Sequence, residues 1–197
     1  MRPSKQTDAA YLYAQSSDNE DSVIFPARKL LEDGLALRIL LMNNASNPGY
    51  PGYHVWKDKL IKLGIKENRI LGVDLDKDDH NTLTEAEAVI RFARRNKYKS
   101  MIVLAPPFHQ VRAFMTTVRV VLCEYPELIL YSITGDALPW NEKATHSQGT
   151  LSAKRSELIA AEFERIKKYL CKGDLISFDR VIDYFDERDQ SNKYGVR

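Results

Sequence analysis

With 197 residues, 44% of them hydrophobic, the chain is long enough for one sizeable core and short for two. Its 29 basic and 27 acidic side chains leave a formal charge of +2 without any polybasic block, which excludes the electrostatic footprint of a nucleic-acid binder and the cationic face of a membrane-surface helix. No apolar run approaches a membrane span and the charged start Met1 to Asp8 lacks a following apolar region, so a soluble, cytoplasmic protein is expected, its two cysteines, Cys123 and Cys171, unpaired thiols.

In chain order, strand and helix alternate. After a tail over 1–8, Ala9 to Gln15 reads as a weak first strand, and Ser22 to Glu32 as a helix ended by Gly34. Leu37 to Met42 is an apolar strand, Tyr53 to Leu63 a helix stopped at Gly64, and Arg69 to Val73 a short strand. Thr82 to Asn96 predicts a strong helix, with capping-box spacing at Thr82/Glu85 and at Thr84/Glu87. Ser100 to Leu104 reads as a buried strand running into a helix from Phe108 to Glu124, whose apolar stripe is Phe108, Val111, Met115, Val118 and Leu122. Leu128 to Thr134 is a fifth strand and Ala153 to Leu170 a long charged amphipathic helix. Leu175 to Phe185 is a last short helix with Phe178, Val181, Ile182 and Phe185 on one side, a surface that serves either the chain's own core or a homodimer. A polar tail follows from Asp189. The alternation predicts a single α/β domain over 9–188: a Rossmann-like, doubly wound, mainly parallel sheet of about five strands with helices on both faces and extra C-terminal helices. Two long connections stand out: Asn43 to Gly52, rich in turns and tyrosine, and Gly135 to Ser152, which carries Trp140, His146 and Gly149.

Candidate chemistry gathers where a strand runs straight into a helix. His109 and Arg112 follow the Ser100 strand within the first turns of the next helix, on a face apart from its apolar stripe. In an α/β sheet that position lies outside the carboxyl ends of the strands, where ligands bind. Orphan backbone N–H groups and the helix dipole there favour an anion and keep an imidazole neutral, able to accept a proton, while Arg112 is a fixed charge for a carboxylate or phosphate. Thr82, Thr84 and Glu85 open the preceding helix; capping alone explains them, and the functional reading, which can coexist with it, is that this helix start also faces the strand-end crevice, where a threonine hydroxyl and Glu85 reach the ligand. Asn43 and Asn44 follow the second strand, and Ser16 and Ser17 the first; both pairs offer neutral hydrogen bonds. Asp74, Asp76, Asp78 and Glu85 also fall in the register of a calcium loop, with Asp79 at the glycine position and no helix entering the loop. No Walker A loop, Gly-x-Gly-x-x-Gly turn, Gly-x-Ser-x-Gly elbow or His-Glu-x-x-His run is present.

The order Thr82-Leu83-Thr84-Glu85-Ala86, then a strand, then His109-Gln110-Val111-Arg112-Ala113 resembles the YdcF-like family, whose relatives include SanA and ElyC. Arg28 in a first helix ending Leu30-Leu31-Glu32-Asp33-Gly34 resembles the same family, and Glu162 to Asp174 is similar to the tail of some members. The resemblance implies a Rossmann-like fold with a pocket at the strand ends and a nucleotide-like ligand such as S-adenosylmethionine. The chain departs from the family's pattern at the pocket wall: Gln15-Ser16-Ser17-Asp18 replaces a glycine-rich turn, Asn43 and Asn44 replace small residues, and Ala105-Pro106 replaces Thr-Ser. The N-terminal segment that anchors some members in membranes is absent, so no envelope role or membrane partner is expected, and the nearly balanced charge gives no expectation of a nucleic-acid partner.

The sequence therefore predicts a small anionic ligand, nucleotide-like as the resemblance implies, held by Arg28, Arg112 and the start of the Phe108 helix. Asn43, Asn44, Thr82, Thr84, Ser16 and Ser17 are expected to supply neutral contacts, and His109 with Glu85 to act as acid and base if a reaction occurs. Binding without catalysis, a dimerising interaction protein, and a divalent-cation-dependent enzyme using the Asp74 to Glu85 loop are the rivals.

Overall fold

The structure is a computed structural model and describes residues 3–75, 81–146 and 149–194. Its frame is five strands, β1 (Ala9–Leu12), β2 (Ile39–Met42), β3 (Ile70–Val73), β4 (Ser100–Ala105) and β5 (Ile129–Thr134). All neighbours are parallel and the order is β3-β2-β1-β4-β5. Strands covered on both faces have no solvent side to alternate with, so they read as unbroken apolar runs. Every residue of Ala9-Ala10-Tyr11-Leu12 and of Ile39-Leu40-Leu41-Met42 is buried. Helices α1 (Asp21–Glu32), α2 (Tyr53–Lys62), α3 (Thr82–Arg95) and α4 (Pro107–Glu124) make the crossovers and cover both faces. Among the described residues, no helix is long and apolar enough to cross a membrane.

The strand order places the site. From β1 the chain moves outward to β2 and β3, then crosses back to pair β4 against the free side of β1, with Ala10 opposite Ile102 and Leu12 opposite Leu104. The connections leaving β1 and β4 therefore diverge to opposite faces, and a crevice opens outside their carboxyl ends. The Ser100 strand lies beside the first strand, and the middle of the sheet is β1.

After β5 comes an antiparallel hairpin, β6 (Lys143–His146) and β7 (Leu151–Lys154), where the sequence suggests only a long loop. Its strands are short and mixed in polarity, so periodicity gives no strand signal there. The loop leading to it is tied to α1 by a proline. Pro26 has no N–H to donate to Ser22 one turn back, and the freed Ser22 carbonyl accepts the N–H of Asp136 at 2.8 Å. Gly135 permits this approach, because a Cβ there would sit 2.2 Å from the Ser22 oxygen. Two further helices close the chain, α5 (Arg155–Lys172) and α6 (Phe178–Tyr194), the second running past the Phe185 at which the sequence pattern ends. Val181, Tyr184 and Phe185 pack on the core, while Phe178 and Ile182 stay exposed.

Candidate functional site

A cavity of about 660 Å³ fills the crevice at the carboxyl ends of β1 and β4. Its walls come from the segment after β1 (Ala14 to Ser16), the start of α3, the inner face of α4, the β6–β7 hairpin and α5. Thr82, Glu85, His109, Arg112 and Ser16 all line it, although about 25 residues separate the two motifs in sequence.

Local sequence explains how α4 enters. Pro106 and Pro107 begin the helix, the second at a first-turn position where no N–H is needed. Gln110 then fastens the turn to the sheet: its Oε1 accepts the Ala105 N–H at 2.6 Å, and its Nε2 donates to Val103 O at 3.1 Å and Ser132 Oγ at 2.9 Å. The side chains at 109 and 112 are left facing the crevice. At the start of α3 the capping box lies one residue earlier than its threonines suggest. Asn81 is the cap, its Oδ1 accepting the N–H groups of Leu83 and Thr84, while Thr84 Oγ1 accepts the Asn81 N–H. That register leaves Thr82 on the cavity side.

Glu162 is the centre of the site. It is 2% exposed and lies on α5 behind the lining residues His109, Arg112, His146 and Arg165. Its Oε2 accepts from His109 Nδ1 at 2.9 Å and Arg112 Nε at 2.7 Å. Its Oε1 accepts from His146 Nε2 at 2.8 Å, Arg165 NH1 at 3.0 Å and Arg112 NH2 at 3.2 Å. Arg112 NH1 also donates to Thr82 Oγ1 at 2.7 Å. The carboxylate fixes both tautomers, since a ring nitrogen without its proton would set a lone pair against an anionic oxygen. His109 therefore carries its proton on Nδ1 and His146 on Nε2, and each keeps a basic nitrogen on the other side of its ring. The 3.2 Å approach of Arg112 NH2 to His109 Nδ1 is then packing between two donors.

Burial and the neighbouring Arg112 push His109 down to about 4, against the opposing pull of Glu162. Burial also lowers His146, with Arg112 and Arg165 acting in the same direction. For Glu162, burial works towards neutralisation, but contacts with His109, His146 and Arg112 outweigh it and hold the carboxyl well below its usual range. At neutral pH the cluster is thus an ionised carboxylate, two guanidiniums and two neutral imidazoles.

The hairpin delivers His146. It is latched to the segment after β1: Asp18 Oδ2 accepts the Thr145 N–H at 2.7 Å, and Thr145 O accepts from Ser16 Oγ at 2.7 Å and Asn19 Nδ2 at 2.9 Å. Arg155, at the start of α5, closes the latch by donating to Asn19 Oδ1, Pro139 O, Glu142 Oε2 and Asp18 O.

Several residues expected at the site stand elsewhere. Arg28 is on the exposed side of α1, paired with Glu32 at 2.7 Å, because Ala27, Leu30 and Leu31 take the inner face. Asn43 and Asn44 follow β2, one strand beyond the crevice; Asn43 Nδ2 donates to Asp74 Oδ1 at 2.6 Å, and the Asn44 carbonyl caps Tyr53. Thr84 is spent on the cap and Ser17 is exposed; neither lines the cavity. Glu85 does line it, but its Oε2 accepts from Tyr11 OH at 2.7 Å and the Ala14 N–H at 3.2 Å. The start of the Phe108 helix is turned away: Pro106, Pro107 and Phe108 face a small separate cleft beside Trp140 and Arg155, and the His109 and Gln110 N–H groups bond to Pro106 O. Arg112, engaged by Glu162 and Thr82, is part of the floor. Asp76, Asp78 and Asp79 of the calcium-loop register lie outside the described residues.

His146 and Glu162 carry no assigned role in the sequence reading. Glu162 had a signal all the same. It falls on the buried stripe Leu158–Glu162–Ile166 at a spacing of four, and a carboxylate inside an apolar stripe calls for partners.

His109, His146 and Glu162 offer ligand atoms that all lie within 4.8 Å of one another. Two imidazole nitrogens and a carboxylate suit a divalent transition metal, although both carboxylate oxygens are already engaged by guanidiniums. Fold and site together define a Rossmann-like α/β protein with a buried His/His/Glu cluster that is a candidate ligand- or metal-binding site. No family model matches the chain, and no curated protein does.

Proposed function

We propose that this chain binds a small ligand with an anionic group in the strand-end cavity, as its resemblance to the YdcF-like family implies, and that His109 acts as the acid or base of any reaction there. The observation that carries this reading is the Glu162 cluster itself. A buried carboxylate that orients two neutral imidazoles at the floor of a polar cavity is an arrangement suited to proton transfer. A nucleotide-like molecule such as S-adenosylmethionine is the first class of ligand to try. Calorimetric titration with S-adenosylmethionine and adenosine nucleotides tests it. Binding to the wild-type chain, weakened about tenfold or more in Glu162→Gln, is the expected result. Retained binding in His109→Ala with loss of turnover identifies an enzyme, and binding with no turnover in either protein identifies a binding module. Absence of binding by every probe removes the reading.

The proximity of the three ligand atoms favours a second reading, a divalent cation held by His109, His146 and Glu162. The imidazoles are neutral, as ligation requires, but Arg112 and Arg165 share the carboxylate and repel a further cation. Stoichiometric zinc or manganese uptake, abolished in His146→Ala, would establish it.

A further inference from the structure

The rim of the cavity carries charge that its floor does not neutralise. On α5, Arg165, Lys168 and Lys172 succeed one another at spacings of three and four, and all three line the cavity. Arg165 reaches down to Glu162. Lys168 and Lys172 have no carboxylate at ion-pair distance among the described residues; both ammonium groups lie instead over the ring of Tyr169, 5.5 and 5.6 Å from its centroid. The contrast on the same helix is informative. Lys167, one residue from Lys168 but turned outward, is paired with Glu164 at 2.8 Å. On this helix, cations without an acidic partner only on the face that meets the cavity have the arrangement of a counter-ion site. Thr82 lines the same cavity, and its Oγ1 already accepts from Arg112, so its hydroxyl proton is left for another acceptor. Asp174 sits on the same rim and reduces the positive charge without cancelling it.

We propose that Lys168 and Lys172, with Thr82 of the same cavity, form its anion subsite and take a phosphate or diphosphate group, while the uncharged part of the ligand extends towards His109. The inference rests on the cavity being a ligand site, and moves the anion from Arg112 and the α4 start to the α5 rim. Neighbouring lysines four apart on a helix are mobile point donors without the planar fork that selects a carboxylate. A tetrahedral dianion with several acceptor oxygens satisfies two such ammonium groups and a hydroxyl at once.

Titration of the full chain with inorganic pyrophosphate, at two salt concentrations, tests the subsite. Lys168 and Lys172 are exposed, so their double replacement by alanine leaves the core intact, which an unchanged unfolding curve verifies. The expected result is an affinity about tenfold or more lower in the double variant, a weaker salt dependence, and no change in Lys167→Ala. Equal affinity in the wild type and the double variant places the anion elsewhere and overturns the subsite. An equal loss in Lys167→Ala marks diffuse surface attraction and overturns it too. No binding of pyrophosphate to the wild type also overturns it, and the cavity reading is then decided separately by the adenosine-ligand titrations of Glu162→Gln.

Discussion

The cluster's charge state makes acid sensitivity a property of single residues. His109 titrates at about 4 in the folded protein against an ordinary 6.5, so between those values the unfolded chain binds a proton that the folded one refuses. Stability contributed by the neutral ring is complete above pH 6.5, falls as pH drops towards 4, and is exhausted below. The slope is at most about 1.4 kcal/mol per pH unit. His146 is shifted in the same direction and steepens the loss. Glu162 is also held low: its contribution is present above the usual carboxylate range and is lost as pH falls below it. Urea unfolding from pH 7 to 4.5 should therefore show stability declining from near pH 6.5, and His109→Gln should flatten that decline. Parallel curves for the two proteins would mean that the ring is not held neutral in the folded state. At this scale the sequence disclosed the residues nearest to secondary-structure boundaries. His109, Arg112, Thr82 and Glu85 were legible because a strand–helix junction at a predicted switch point gives a position meaning. His146 was not, since it gains its meaning only from a partner on another element, and Glu162 showed only as a carboxylate within an apolar stripe, its partners lying on other elements.

At the scale of elements, the sheet and its crossover helices follow from period and punctuation, and the hairpin does not. Runs such as Met101-Ile102-Val103-Leu104 leave little choice of structure, whereas Lys143-Ala144-Thr145-His146 becomes a strand only because Leu151 to Lys154 pairs with it and the Ser16–Asn19 segment holds it in place. The site thus combines a rigid part on α3 and α4 with a part borne by a small, latched insertion. Arg155 is the side chain on which the latch turns. Its charge-assisted hydrogen bonds are each worth about 1.5–3 kcal/mol, and they tie the start of α5 to residues 18–19 and to residues 139 and 142 of the insertion. Arg155→Ala should raise hydrogen exchange across 135–154 well before it affects β1 or β4, and should lower ligand affinity through loss of a placed His146. Exchange that rises evenly through the sheet would show that the hairpin is no separate unit of stability.

For the whole molecule, the decisive feature is how a parallel sheet ends. β5 is an edge strand, and an open edge is a template for another chain. Here α6 covers it with side chains in place of a strand. Tyr184 OH accepts the Leu130 N–H at 2.7 Å, and Arg188 NH1 donates to Leu130 O at 3.1 Å, so both main-chain groups of one edge residue are satisfied. The Arg188 guanidinium lies over Tyr131 and Phe185, and Phe185 stacks on Phe114 of α4 with ring centroids 5.3 Å apart. The apolar stripe of the last helix thus divides: Val181, Tyr184 and Phe185 complete the core, and Phe178 and Ile182 do not. Removing α6 strips the β5 edge and uncovers Phe114 together. A chain ending at Gly173 should therefore form species that grow with concentration in light scattering. Arg188→Ala with Tyr184→Phe, which keeps the helix but frees both Leu130 groups, should remain of wild-type mass and lose about 1–3 kcal/mol for each group left unpaired. If the truncated chain keeps the wild-type mass and unfolds at the wild-type urea concentration, the edge is protected by something other than α6.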